Sequence, residues 1–178
     1  MTAEFLRDAA MTAVIFGVFA SSWFGWAQED PPPTWRKFLT AGAIASVLTA
    51  VAGGVLAWQH WQDGSVFDAD TSRTFGVIVG IEFAAAAIGA GILEVRRKKE
   101  LIPAWIALVV GVHLFPVAAL LGYPLIHVVG AMITVVALVS IPRARARELP
   151  VSAVTGLGAG TVLLAGALLA LLSALFWP

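Results

Sequence analysis

The sequence predicts an all-α fold: a polytopic membrane protein of six transmembrane helices arranged as three helical hairpins, with both termini outside. Three observations carry that prediction. Of the 178 residues, 60% are hydrophobic and only 12% are charged, a balance that no soluble domain of this size keeps in solution. The apolar residues fall into runs close to the ~20 residues that a helix needs to cross ~30 Å of hydrocarbon. Finally, Lys and Arg are concentrated in alternate connections between those runs.

The first run, Ala9 to Ala27, follows Arg7 and is short enough to pass for a cleaved signal peptide. Glu4 and Asp8 spoil the positive flank such a peptide carries. An inside amino terminus would also push the basic cluster Arg96 to Lys99 outside, so the run reads as a genuine first span. Pro31, Pro32 and Pro33 end it and stiffen the turn that follows. The second and third runs are Phe38 to Trp58 and Thr74 to Val95. From Leu101 to Ile141 the chain stays apolar for too long to be one crossing. Gly122, Tyr123 and Pro124 supply a turn signal that divides it into Leu101 to Gly122 and Pro124 to Ile141. Val151 to Phe176 is the sixth. Residues 1–178 are thus read as a single transmembrane domain without room for a soluble catalytic unit.

Orientation follows from charge. Arg36, Lys37, Arg96, Arg97, Lys98, Lys99, Arg143, Arg145 and Arg147 lie on one side of the spans, and only Arg7 and Arg73 lie on the other, accounting for all 11 basic residues. Nine against two places the first set in the cytoplasm and both termini outside. The aromatic residues agree: Trp26, Trp35 and Trp105 fall near the inner interface, and Trp58, Trp61, Tyr123 and Trp177 near the outer one, where such rings anchor helices.

The third helix carries a carboxylic acid, Glu82, in its apolar middle, and the fourth carries His113. Each lies ~12 Å from the outer end of its helix at 1.5 Å per residue, so the two are level across one antiparallel hairpin. Ionisable groups at that depth cost several kcal/mol apiece unless they pair or reach water, which makes them the best candidates for a site. Burial and mutual attraction act in opposite directions on such a pair, giving a coupled site able to respond to pH. His127 lies only ~6 Å below the outer end of its helix, the place for an outer relay. Above it, the outer loop supplies His60, Asp63, Asp68 and Asp70, acidic and imidazole groups of the kind that concentrate cations. Pro116, one turn after His113, frees the carbonyl of Val112 and predicts a kink beside the pair. Toward the cytoplasm only hydroxyls follow, such as Ser21, Ser22, Ser46 and Ser140.

Glu82, His113 and His127 have the composition of a two-histidine, one-carboxylate metal site, although the depth of His127 sets it apart from the other two. No cofactor is implied. Cysteine is absent, which removes disulfides, thiolate metal sites and cysteine nucleophiles. Net charge is zero, so nucleic acid is not an expected partner; the lipid bilayer is.

Gly76, Gly80, Ala84, Ala87 and Gly91 form a stripe on the third helix, and small residues at that spacing allow another helix to approach closely. A homo-oligomer through such a face is one expectation. Gly156, Gly158 and Gly160 on the sixth helix have the spacing of a dinucleotide loop but no preceding strand, so they read as close helix packing. The sixth helix is otherwise expected to face lipid or a neighbouring subunit.

The segment Gly111-Val112-His113-Leu114-Phe115-Pro116-Val117-Ala118 resembles a Gly-x-His-Phe-Leu-Pro-Leu-Ala signature. That signature belongs to a family of small uncharacterised multi-pass membrane proteins of bacteria, actinobacterial in type. Leu114 and Phe115 stand in swapped order here, and Val117 replaces a leucine. The family often has an acidic residue in the preceding helix, where Glu82 stands. The resemblance implies weight for His113 and Pro116, and no activity.

Three functions are consistent with these residues. The first is binding or passage of a small solute, cation or proton at Glu82 and His113. The second is a structural or interaction subunit in which the pair is interhelical glue worth ~1 kcal/mol. The third is a membrane-embedded enzyme using the pair as acid and base on a lipid-like substrate.

Overall fold

The computed structural model of the protein describes residues 3–177. Among these it contains six long helices and no strand: α1 (Leu6–Trp26), α2 (Arg36–Gln59), α3 (Ala69–Val95), α4 (Ile102–Leu121), α5 (Pro124–Ala146) and α6 (Val151–Leu175). All six are long and apolar enough to cross a membrane. Single 3-10 turns, Pro33–Trp35 and Lys99–Leu101, lead into α2 and α4.

The ends of these helices have local causes. α4 stops because Gly122 adopts the left-handed conformation (φ 59°, ψ 24°), and the Tyr123 N–H donates back to the Ala118 carbonyl at 3.1 Å. Pro124 then occupies the first turn of α5, where its missing N–H costs nothing. α3 begins at Ala69 rather than Thr74 because the Asp68 carboxylate accepts the Thr71 N–H at 2.7 Å and caps the helix. α5 runs on to Ala146, past Pro142, since a helix that has left the hydrocarbon no longer needs apolar residues to continue.

Glycine sets several of the helix crossings. A Cβ at Gly17 of α1 would stand 2.8 Å from the Ser46 carbonyl of α2, and one at Gly53 would stand 2.8 Å from the Ala10 carbonyl. Gly111 of α4 and Gly130 of α5 face one another in the same way: a Cβ on either would lie 2.9–3.0 Å from the other's carbonyl oxygen. At these points backbone meets backbone, which only glycine permits.

α6 occupies the centre, packed on α1 and α5 and also touching α2 and α4. Ala153, Ala159, Ala167 and Ala170 are completely buried. This overturns the expectation of a lipid-facing sixth helix. Gly156 lies against the Trp23 carbonyl and Ala27, Gly160 against the Phe24 ring, and Gly166 against Val129 and Phe16. Small positions on α6 thus receive bulky neighbours from two sides.

α3 is the opposite case: none of its residues is buried, and it rests chiefly on α4. The predicted stripe meets no helix of this chain, for a Cβ at Gly76, Gly80 or Gly91 would find nothing within 4 Å. The close approach is made instead at Gly89, which receives the indole of Trp105. Trp105 therefore acts between two helices rather than as an interfacial anchor, donating its Nε1–H to the Ala85 carbonyl at 3.2 Å. Tyr123 departs from the anchor reading too, being 2% exposed with its hydroxyl 3.4 Å from that of Ser173.

Candidate functional site

α4 has two working faces, and their spacing explains where His113 goes. Ala104, Ala107, Gly111, Leu114, Val117 and Ala118 recur at helical intervals and are buried in the bundle. Trp105, Val109, Val112 and Pro116 form the face turned to α3. His113 falls between the two. On α3, Ile78, Ile81, Glu82 and Ala85 face α4, while Phe75, Val79, Glu82 and Phe83 border the space toward α1. Glu82 is common to both sets.

The structure brings Glu82 and His113 together. His113 Nδ1 lies 3.3 Å from Glu82 Oε1, and each side chain is only 16% exposed. The geometry is not that of an aligned hydrogen bond, and Nδ1 is buried without a hydrogen-bond partner. An orphaned buried nitrogen beside a carboxyl group is a costly arrangement.

Three cavities reach His113, and two of them also border Glu82. A cavity of about 100 Å³ leads from Glu4 and Asp8 at the termini end of the bundle, past Phe16 and Phe75, to His113. A second, of about 260 Å³, separates α3 from α1 and is lined by Phe16, Phe19, Phe75, Phe83, Leu163 and both members of the pair. Phe16, Phe75, His113 and Leu114 border both. On the far side of the α3–α4 contact lies an open groove of about 510 Å³, again including Glu82 and His113. Glu82 and His113 border both the α1–α3 cavity and this groove.

The other predicted residues are distributed differently. Pro116 lines the groove, within a helix that continues through it from Ile102 to Leu121. His127 is set edge-to-face against Phe115, with ring centroids 6.0 Å apart, and lies outside the three cavities. Among the described residues no three His, Asp or Glu side chains gather as a metal site, so Glu82, His113 and His127 do not assemble the ligand set their types suggested. His60 and Asp63 pair with each other at 2.6 Å on the surface. Asp68 is occupied in capping α3; the Thr71 N–H holds its carboxyl below the ordinary aspartate value of 3.8. Asp70 is exposed in the first turn of the same helix.

Two acids outside the predicted set lie closer to the site. Glu4 and Asp8 line the cavity that reaches His113. Asp8 also fastens the 60–68 loop, accepting the Ser65 hydroxyl at 2.6 Å and the Val66 N–H at 2.8 Å. Its neighbour Arg7 donates to the Trp61 carbonyl at 2.8 Å and lies 4.9 Å from the centre of that indole ring. A sequence signal for Asp8 existed: Asp8, Thr12, Ile15 and Phe16 share one face of α1, and all four line the cavity.

Six apolar spans, with large hydrophobic side chains such as Leu48 (63%), Ile81 (65%) and Leu138 (61%) exposed on the bundle surface, are the make-up of a multi-pass integral membrane protein. Comparison with family models, curated proteins and solved structures finds no match.

Proposed function

We propose that this membrane protein binds a proton or small solute at Glu82 and His113, taken up from the outer face of a bacterial plasma membrane. The observation that carries the reading is that three cavities reach His113 and two of them also border the adjacent Glu82. Positive-inside bias puts the turns bearing Arg36 and Lys37, Arg96 to Lys99, and Arg143 to Arg147 in the cytoplasm, and therefore both termini outside. On that orientation the opening at Glu4 and Asp8 faces outward, and its acids would raise the local cation and proton concentration.

Interhelical glue is the weaker reading. α3 is already clamped to α4 by Trp105, through its bond to Ala85 and its seat on Gly89, and the pair itself makes no aligned hydrogen bond.

The test is spectroscopic. In wild-type protein in nanodiscs, the His113 imidazole signals, assigned by their disappearance in His113→Gln, should respond to bulk pH, and Glu82→Gln should alter that response. A pair indifferent to external pH would sink the reading. Proteoliposomes loaded with a pH-sensitive dye then separate binding from passage: transport requires acidification faster than in protein-free vesicles, reduced to that background by Glu82→Gln or His113→Ala.

A further inference from the structure

The groove between α3 and α4 narrows the chemistry of what the pair would hold; the argument rests on the binding reading above. At about 510 Å³ it has the size of a small-molecule pocket. Apart from Glu82 and His113, its walls are apolar, built from residues such as Ile78, Ile81, Val109 and Val112. Ile81 and Val112 are 65% and 53% exposed, so the groove opens on the flank of the bundle, where the spans meet hydrocarbon. A molecule dissolved in the bilayer reaches it sideways, without crossing the headgroup layer.

The walls select against charge. A dehydrated Mg²⁺ or Ca²⁺ requires about six or more oxygen ligands and zinc about four ligands in all, whereas the groove offers one carboxyl group and one imidazole. A charged organic head would likewise enter an apolar slot with a single polar end. An uncharged oxygen fits better. His113 Nδ1 has no hydrogen-bond partner and stands 3.3 Å from Glu82 Oε1. Nδ1 is buried and too close to Oε1 for another atom to stand between them, so the oxygen meets Glu82: a hydroxyl can donate to its carboxylate or accept from its carboxyl group, and a carbonyl can accept from the latter. The Trp105 N–H is already committed to Ala85, so that side chain offers a ligand only its ring.

We infer that the α3–α4 groove binds a membrane-dissolved amphiphile, with an uncharged hydroxyl or carbonyl head against Glu82 and His113 and a hydrocarbon tail along Ile78, Ile81, Val109 and Val112. Entry is from the bilayer, while the cavity behind Glu4 and Asp8 supplies water and protons to the same pair.

A sixteen-carbon alcohol bearing a diazirine near its hydroxyl tests this in nanodiscs holding the full chain. Photolabelling should concentrate on Ile78–Ala85 and Val109–Pro116, be competed by unlabelled hexadecanol, and fall at least tenfold in Ile81→Trp and in Val112→Trp, which fill the groove from opposite walls. An alkylammonium probe of equal length should label these segments at least tenfold less. Labelling spread evenly over exposed positions on α2 and α5, unchanged by both tryptophan variants, or equal for the ammonium probe would overturn the inference. Neither variant removes a member of the pair, so the His113 pH response should survive in both. Lost labelling with that response retained therefore supports the groove independently, and a missing wild-type response defeats the binding reading alone.

Discussion

α3 and α6 are both rich in glycine and alanine, yet α6 runs through the centre of the bundle and α3 stands at its edge. The difference lies in what faces their small residues. Phe24, Phe16 and Val129 side chains converge on the α6 glycines from α1 and α5, whereas three α3 glycines face open space and only Gly89 receives a large side chain. Small residues permit close approach, but complementary bulk on another helix decides whether it happens. The edge position has a consequence for chemistry: α3 stands off α1 by a cavity and forms a groove with α4, leaving Glu82 accessible from two sides. Had α3 packed as α6 does, its acid would be sealed in.

That contrast can be broken by substitution. Gly156→Val should have the largest effect, because its Cβ would meet the Trp23 carbonyl at 2.6 Å and backbone cannot step aside. A loss of about 3 kcal/mol, read as a lower unfolding midpoint in detergent, is expected. Asp8→Ala should come next, at about 2 kcal/mol from two hydrogen bonds to a carboxylate, with amide exchange rising at Val66 while α6 stays protected. Trp105→Ala should cost about 1 kcal/mol and raise exchange in α3 alone, since it removes the clamp but no part of the core. Gly80→Val, chemically the same change as the first, should shift the midpoint by less than about 0.5 kcal/mol. A large loss there would show that α3 is covered by something in the membrane.

The smallest effect is expected at Asp68. Its folded value is depressed, so the contribution of the cap is present above the unfolded value of 3.8 and is lost as pH falls through the lower folded value. Asp68→Ala should fray only the first turn of α3, seen as faster exchange at Thr71 near neutral pH, and the difference from wild type should vanish in strong acid.

How much of the site was legible differed by residue. Glu82 and His113 could be matched in depth because helical rise is constant and their connection is short; the structure sets them 3.3 Å apart. His127 could be given a depth in the same way, but depth says nothing about azimuth, and its ring turns to Phe115. The loop acids drew notice through their number, yet His60 with Asp63 and Asp68 with Thr71 are engaged locally, while Asp8, in the first turn of α1, borders the cavity. Proximity to the site came from tertiary packing rather than from nearness in sequence.

The sequence alone determined the six helices, their ends at Gly122 and Pro124, and the level at which an acid and an imidazole enter them. Those features depend on hydropathy, length and local backbone preference, which act along the chain. The tertiary structure decided that α6 is central and α3 peripheral, that Asp8 rather than the loop acids borders the cavity, and that open space surrounds the pair. In a bilayer every outward face of a helix is apolar, so hydropathy cannot tell lipid from protein. Shape complementarity between side chains distant in sequence makes that choice.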